Sequence, residues 1–191
     1  MPRVTTVPVE QTSGKAREIY ESAGSYGPFA GLVGVMANRP PVLEHTFGLL
    51  LDLKAEGRVS PRHLELALVT VSKLNACTFC VSNHTPKLTA AGISQDAAAN
   101  ILDYETVDEF DEVDRLVIEY AVAVTTDFHR VRDAMFDRLR AHFEDDQIVE
   151  LTWRIALCGA FNRFNDVLQT EVEDHVAVLD QEPHPVVDAA E

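Results

Sequence analysis

The segment from Ser60 to Leu74 sets the tightest limit on what this chain can fold into. Ser60-Pro61 is a helix start: a capping hydroxyl, then proline at the first helical position, where its fixed φ suits the turn. Leu64, Leu66, Ala67, Leu68, Val69 and Val71 then make the segment apolar almost all the way round. A helix with no polar face must be surrounded by other elements. Glu65 lies inside that run, and a buried carboxylate needs a partner or a proton. No convincing strand alternation occurs anywhere, so the reading is all-α.

The remaining punctuation supports one helical domain over 13–179. Ser13 to Ala23 carries Ala16, Ile19, Tyr20 and Ala23 on one face, and Gly24-Ser25-Tyr26-Gly27-Pro28 breaks it. A short helix to Met36 follows, then Val42 to Ala55, stopped by Gly57. Gly92 is a C-cap candidate, and Ser94 opens a short helix to Leu102. Thr106-Val107-Asp108-Glu109 has the capping-box pattern and is expected to open a helix to about Thr125. Val131 to His142 gives another. Asp145 to Leu168 makes one long helix or two, with Gly159 or Asn162 as the irregularity. Residues 1–12 read as an extended arm, and 180–191, with prolines, alanines and acids, as a disordered tail. A faint repeat pairs Leu64-Glu65-Leu66 with Val149-Glu150-Leu151, setting Asn162, Asn165 and Gln169 at the counterparts of Cys77, Cys80 and His84. It reads either as a duplicated helical unit or as two unrelated amphipathic helices.

After a break at Asn75-Ala76, Cys77 falls at the start of a helix that also carries Cys80 and His84. These positions are i, i+3 and i+7, on one face. Two thiols one turn apart can close a disulfide if the first turn permits the geometry. The helix N-terminus favours thiolate at Cys77 and predicts it as the more acidic and exposed sulfur. His84 can exchange a proton with Cys80, and Glu65 can orient the imidazole. A dithiol with a base and an acid nearby is a redox device. Half of a zinc site would need a second ligand pair, and only the remote Cys158 remains. Haem attachment needs histidine directly after the second cysteine, where Val81 stands, and a thioredoxin-type domain needs strands. Two inert buried cysteines beside a core histidine are the bland alternative.

The pattern Glu65-x11-Cys77-x-x-Cys80-x3-His84 resembles the signature of AhpD-like alkylhydroperoxidases, within the carboxymuconolactone decarboxylase superfamily. The likeness is strongest over Pro61 to Gly92. It extends more weakly from Pro28 to Leu168, through Asn38-Arg39-Pro40 and Phe161-Asn162-Arg163. It implies an AhpD-like helical bundle, a homo-oligomer (trimer or hexamer), and peroxide reduction through a dithiol–disulfide cycle. By that resemblance Cys80 attacks the hydroperoxide and Cys77 resolves it, while His84 and Glu65 relay the proton. An external dithiol, a lipoyl group or a small redox protein, then restores the pair, with no metal, flavin or haem. The resemblance and helix-terminus physics thus differ on which sulfur acts first. One departure is Phe79, where the best-studied members carry a histidine. The decarboxylase branch generally lacks the CxxC pair. The other readings are a redox-responsive oligomer without turnover and a decarboxylase-type enzyme acting on a small lactone with His84 as base.

Formal net charge is −15, which disfavours nucleic acid and anionic lipid as partners. No stretch approaches the roughly 20 apolar residues of a spanning helix, and the first residues lack a signal-peptide core. The expectation is therefore a cytoplasmic protein without membrane contact, where a reducing milieu suits an active dithiol. Among the remaining candidates, Cys158 reads as a structural core thiol. His45 reads as a packing histidine or a pocket residue. His63 points about 200° away from Glu65 round its helix. Trp153 and Phe161 to Phe164 fit core or subunit contact.

Overall fold

In the computed structural model, which describes residues 2–179 and 181, the chain is helical throughout its ordered elements. The helices are α1 (Gly14–Ala23), α2 (Ala30–Met36), α3 (Pro40–Glu56), α4 (Pro61–Leu74), α5 (Thr78–Ala90), α6 (Gln95–Ala99), α7 (Glu112–Thr126), α8 (Asp133–Arg140) and α9 (Asp145–Leu168). The expected tail at 180–191 falls outside the described residues, Gln181 excepted.

Helix α4 sits at the centre, as its all-round apolar sequence requires. Ser60 accepts the His63 N–H at 3.2 Å as N-cap, and Leu66, Ala67, Val69 and Val71 have no exposed surface. Around them α7, α9 and α5 contribute Val117, Ile118, Ala121, Leu151, Ile155 and Leu88 to one core. A second core joins Ala16, Phe29, Leu32, Leu43, Phe47 and Leu50 of the N-terminal layer to Cys77, Phe79 and Cys80. The thiols therefore lie where the N-terminal layer closes over the central bundle.

One expected boundary is corrected, and one open choice, whether 145–168 forms one helix or two, is settled as one. Helix α7 opens at Glu112 rather than Thr106. The Thr106 hydroxyl donates to the Asp103 carbonyl, and the Glu109 carboxylate is taken by the Ser94 N–H and hydroxyl, both at 2.6 Å. The capping box is made instead by Asp111 and Asp114. Asp114 is fully buried and held by Arg62 at 2.5 Å. Helix α9 runs unbroken through Gly159 and Asn162, with Arg163 Nη1 donating to the Gly159 carbonyl at 2.8 Å.

The N-terminal arm is extended apart from one 3-10 turn at Val9–Gln11, and it is docked. Arg3 donates from its backbone to Leu168 O and from its guanidinium to Val167 O, a cation closing the C-terminus of α9. The Val7 N–H bonds Gly34 O, and a Cβ at Gly34 would stand 2.3 Å from Thr6 Cγ2. Glycine there lets the arm approach α2.

Candidate active site

The site begins with a break in the chain. Ala76 takes the left-handed conformation at φ 51°, turning the backbone out of α4, and the Cys77 N–H is caught by Ser72 O at 2.9 Å. Cys77 becomes the N-cap of α5, and Cys80 and His84 follow one and two turns along. Cys77 has no exposed surface and Cys80 only 3%. The Cys77 thiol is pushed far up, first by its hydrogen bond to the Cys80 sulfur, then by burial and by charge on Cys80. At Cys77 burial and the neighbouring sulfur thus outweigh the helix terminus, and the expected exposed thiol is instead fully buried. Burial and that contact favour the protonated form of Cys77.

Glu65 and His84 meet as their spacing suggests: His84 Nδ1 lies 2.7 Å from Glu65 Oε2. The second carboxylate oxygen is 2.7 Å from Lys87 Nζ. Burial pushes the Glu65 carboxyl up, but His84 and Lys87 outweigh it and hold the group down at about 2. The imidazole is pushed down by burial, which exceeds the pull of Glu65. The consistent state has Lys87 neutralising the carboxylate beside a neutral His84. Its Nδ1–H then donates to Glu65 and its Nε2 stays a base.

Cys80 and His84 open on one narrow apolar pocket, lined also by Tyr26, Phe29, Phe47, Phe79, Phe161, Arg154, Cys158 and Asn165. Cys77 is not among its lining residues. Asn165 Nδ2 donates to Cys80 Sγ at 3.4 Å. Phe79 packs on Phe29, with ring centroids 6.4 Å apart, and Phe29 in turn meets the His84 ring at 5.3 Å. The residue that departs from the resemblance therefore adds apolar wall. Tyr26 is flanked by two cations, Lys87 Nζ at 4.7 Å and the Arg154 guanidinium at 5.5 Å from its ring centroid.

Sequence reasoning missed Lys87, Tyr26 and Arg154. Lys87 was open to view, three residues after His84 on the same helix. Tyr26 lies in a glycine-rich break that carries no chemical signal, and Arg154 in a helix read only for its core. Asn165 was singled out as the counterpart of Cys80, and it lies against that sulfur. His45 is exposed and does not line the pocket of Cys80 and His84, and Trp153 is half exposed. Cys158 is buried against the Ser72 hydroxyl at 3.4 Å and the Leu68 carbonyl, and burial pushes its thiol up to about 12. His63 packs edge-on against Phe143, away from Glu65's partners.

A buried dithiol and a histidine–carboxylate pair on a helical bundle define a class of helical thiol proteins, and comparison with known proteins narrows it. Residues 40–110 match the carboxymuconolactone decarboxylase family. The uncharacterized protein YnjA of Escherichia coli (strain K12) is 31% identical over 103 residues, 54% of this chain and 57% of YnjA. The uncharacterized protein YdfG of Bacillus subtilis (strain 168) is 26% identical over 53% of this chain and 69% of its own. The match thus spans little more than half the length of YnjA.

Among solved structures, the AhpD-core, peroxidase-related protein from Ralstonia eutropha JMP134 superposes with a TM-score of 0.78 at 21% identity, covering 96% of this chain and 98% of that one. The debrominase Bmp8, in complex with 2,3,4-tribromopyrrole, gives 0.72 at 20% identity over 91% and 95%. At these identities the likeness is one of fold. Residues 40–110 thus carry the carboxymuconolactone decarboxylase family pattern, and the fold is AhpD-like. No helix among the described residues is long and apolar enough to cross a membrane.

Proposed function

We propose that the protein is a dithiol peroxidase that reduces an organic hydroperoxide. The observation that carries this reading is the proton path. Cys77 lies one turn before Cys80 on α5 with its thiol held protonated, and Cys80 shares its pocket with an imidazole whose Nδ1 is engaged by Glu65. In the first step His84 Nε2 takes the Cys80 proton. The sulfur attacks the terminal peroxide oxygen, the O–O bond breaks, and the departing alkoxide collects that proton as alcohol. Cys80 is left as a sulfenic acid. The Cys77 thiol then displaces water to give the Cys77–Cys80 disulfide. An external dithiol, a lipoyl group or a small redox protein, reduces it and is itself oxidised to a disulfide. The Asn165 amide donates to Cys80 Sγ and stabilises the thiolate.

The test is hydroperoxide consumption with dihydrolipoamide as reductant. Cys80→Ser abolishes turnover, and His84→Ala lowers it roughly 10²- to 10⁴-fold, the usual range for a lost general base. Undiminished turnover in Cys80→Ser would falsify the mechanism. The aromatic lining favours one second reading, removal of bromine from a bromopyrrole-type ring. Two thiols would there supply two electrons, giving the hydrogen-bearing ring, bromide and the same disulfide, with bromide release as the readout.

A further inference from the structure

Arg154 is 2% exposed, yet it ends in the pocket that holds Cys80 and His84. Its side-chain hydrogen bond among the described residues goes to a neutral group, the Tyr26 hydroxyl. Among the described residues no carboxylate lies within 4 Å of its guanidinium, although ion pairs form at Arg62, Lys87 and Arg138. The nearest acid along the chain, Glu150, is one turn back on α9, makes no ion pair and does not line the pocket. The pocket's other charges cancel, since Lys87 is spent on Glu65 at 2.7 Å. Glu150 acts on Arg154 only through space, so no carboxylate occupies the guanidinium fork, and a fork facing a cavity fits a carboxylate in two-point fashion.

We infer that Arg154, with the Tyr26 hydroxyl, anchors the carboxylate of an otherwise apolar substrate and presents its reactive end to Cys80. This deepens the peroxidase reading and rests on it for the chemistry. The substrate class is a hydroperoxide with an aliphatic or aromatic body and one carboxylate. Phe29, Phe47, Phe79 and Phe161 hold the body.

The test is chosen to work whether or not the protein turns over peroxide. Reduced wild-type protein is alkylated with iodoacetate or iodoacetamide, and labelling of Cys80 is followed by peptide mass spectrometry. The iodoacetate-to-iodoacetamide rate ratio is expected to exceed that of a free thiol about tenfold, the worth of one charge-assisted hydrogen bond. Arg154→Gln should return it to the free-thiol ratio. A second measurement needs no variant: benzoate slows iodoacetamide labelling of Cys80, and its neutral isostere benzamide does not. A free-thiol ratio in the wild type, or equal protection by the two compounds, overturns the inference. If the ratio is high but no peroxide is consumed, the anion site stands and the peroxidase reading fails.

A separate observation concerns the outer face of α9. Val149, Trp153, Ala156, Ala160, Arg163 and Val167 are all exposed, at spacings of 4, 3, 4, 3 and 4. That is the seam of a helix pair, and it reads alike from either end about Cys158. Two copies laid antiparallel set Val149 against Val167, the Trp153 ring against the Arg163 guanidinium, and Ala156 against Ala160. Small residues at the centre allow close approach, and a self-complementary patch is what a two-fold interface needs. We propose that a second copy of this chain covers this face. Sedimentation velocity should show a dimer or an even-numbered assembly built from dimers, and Trp153→Glu should halve its mass. A monomeric wild type, or an assembly unmoved by Trp153→Glu, overturns it.

Discussion

Glu65 is the residue on which the site turns, because it is buried and divides its two oxygens between His84 and Lys87 at 2.7 Å each. Its pKa of about 2, against an ordinary 4.5, means the folded state favours the ionised form. That contribution, on the order of 3 kcal/mol, is complete above 4.5 and is lost as pH falls towards about 2. His84 acts in the same direction. Its folded pKa lies below 6.5, so below that pH the unfolded chain binds the proton first and stability declines. Urea midpoints at pH 7 and pH 5 should therefore show wild type losing more stability on acidification than His84→Gln. Parallel losses would mean that the imidazole is not held neutral. Glu65→Gln strands Lys87 beside an uncharged amide and should cost about 3 kcal/mol or more at pH 7. The Glu65–His84 pairing was legible from the spacing of two helices. The reversal at Cys77 was not, because burial and the Cys80 contact overrode the helix dipole.

At the scale of elements, the α4–α5 break does the positioning. Ala76 at φ 51° costs an L-residue roughly 1–2 kcal/mol, and what it secures is Cys77 at the cap with Cys80 and His84 aligned behind it. Glycine at 76 relieves that strain but gains freedom in the unfolded chain, so Ala76→Gly should lie within about 1 kcal/mol of wild type. Ala76→Val, β-branched in a left-handed position, should lose about 2 kcal/mol or more in urea unfolding and slow disulfide formation. Equal stability of the two variants would show that the turn is not strained. The break was legible from Asn75-Ala76, and the left-handed residue was not, since alanine does not advertise positive φ. The α7 start was misjudged for a related reason: Glu109 matched a capping box in sequence, but the fold brings Ser94 to it.

For the whole molecule, the all-round apolar α4 dictated a helix enclosed by others, and the fold meets that demand with α5, α7 and α9 packed around it, while the N-terminal layer closes on the start of α5. The pocket was not legible, because Tyr26, Cys80 and Arg154 lie on three separated segments whose meeting depends on packing. Net charge of −15 opposes close approach of two copies, so self-association through α9 should strengthen as salt screens the repulsion. The central claim is that peroxide oxidises Cys80 and that Cys77 resolves it. The most direct measurement is a single turnover: fully reduced protein receives one equivalent of cumene hydroperoxide with no reductant present, followed by peptide mapping. The account predicts one alcohol formed, two thiols lost and a Cys77–Cys80 disulfide, with a trapped Cys80 sulfenic acid in Cys77→Ser. Peroxide left unconsumed with both thiols intact, or Cys77 in Cys80→Ser oxidised as fast as the wild-type pair, would contradict it.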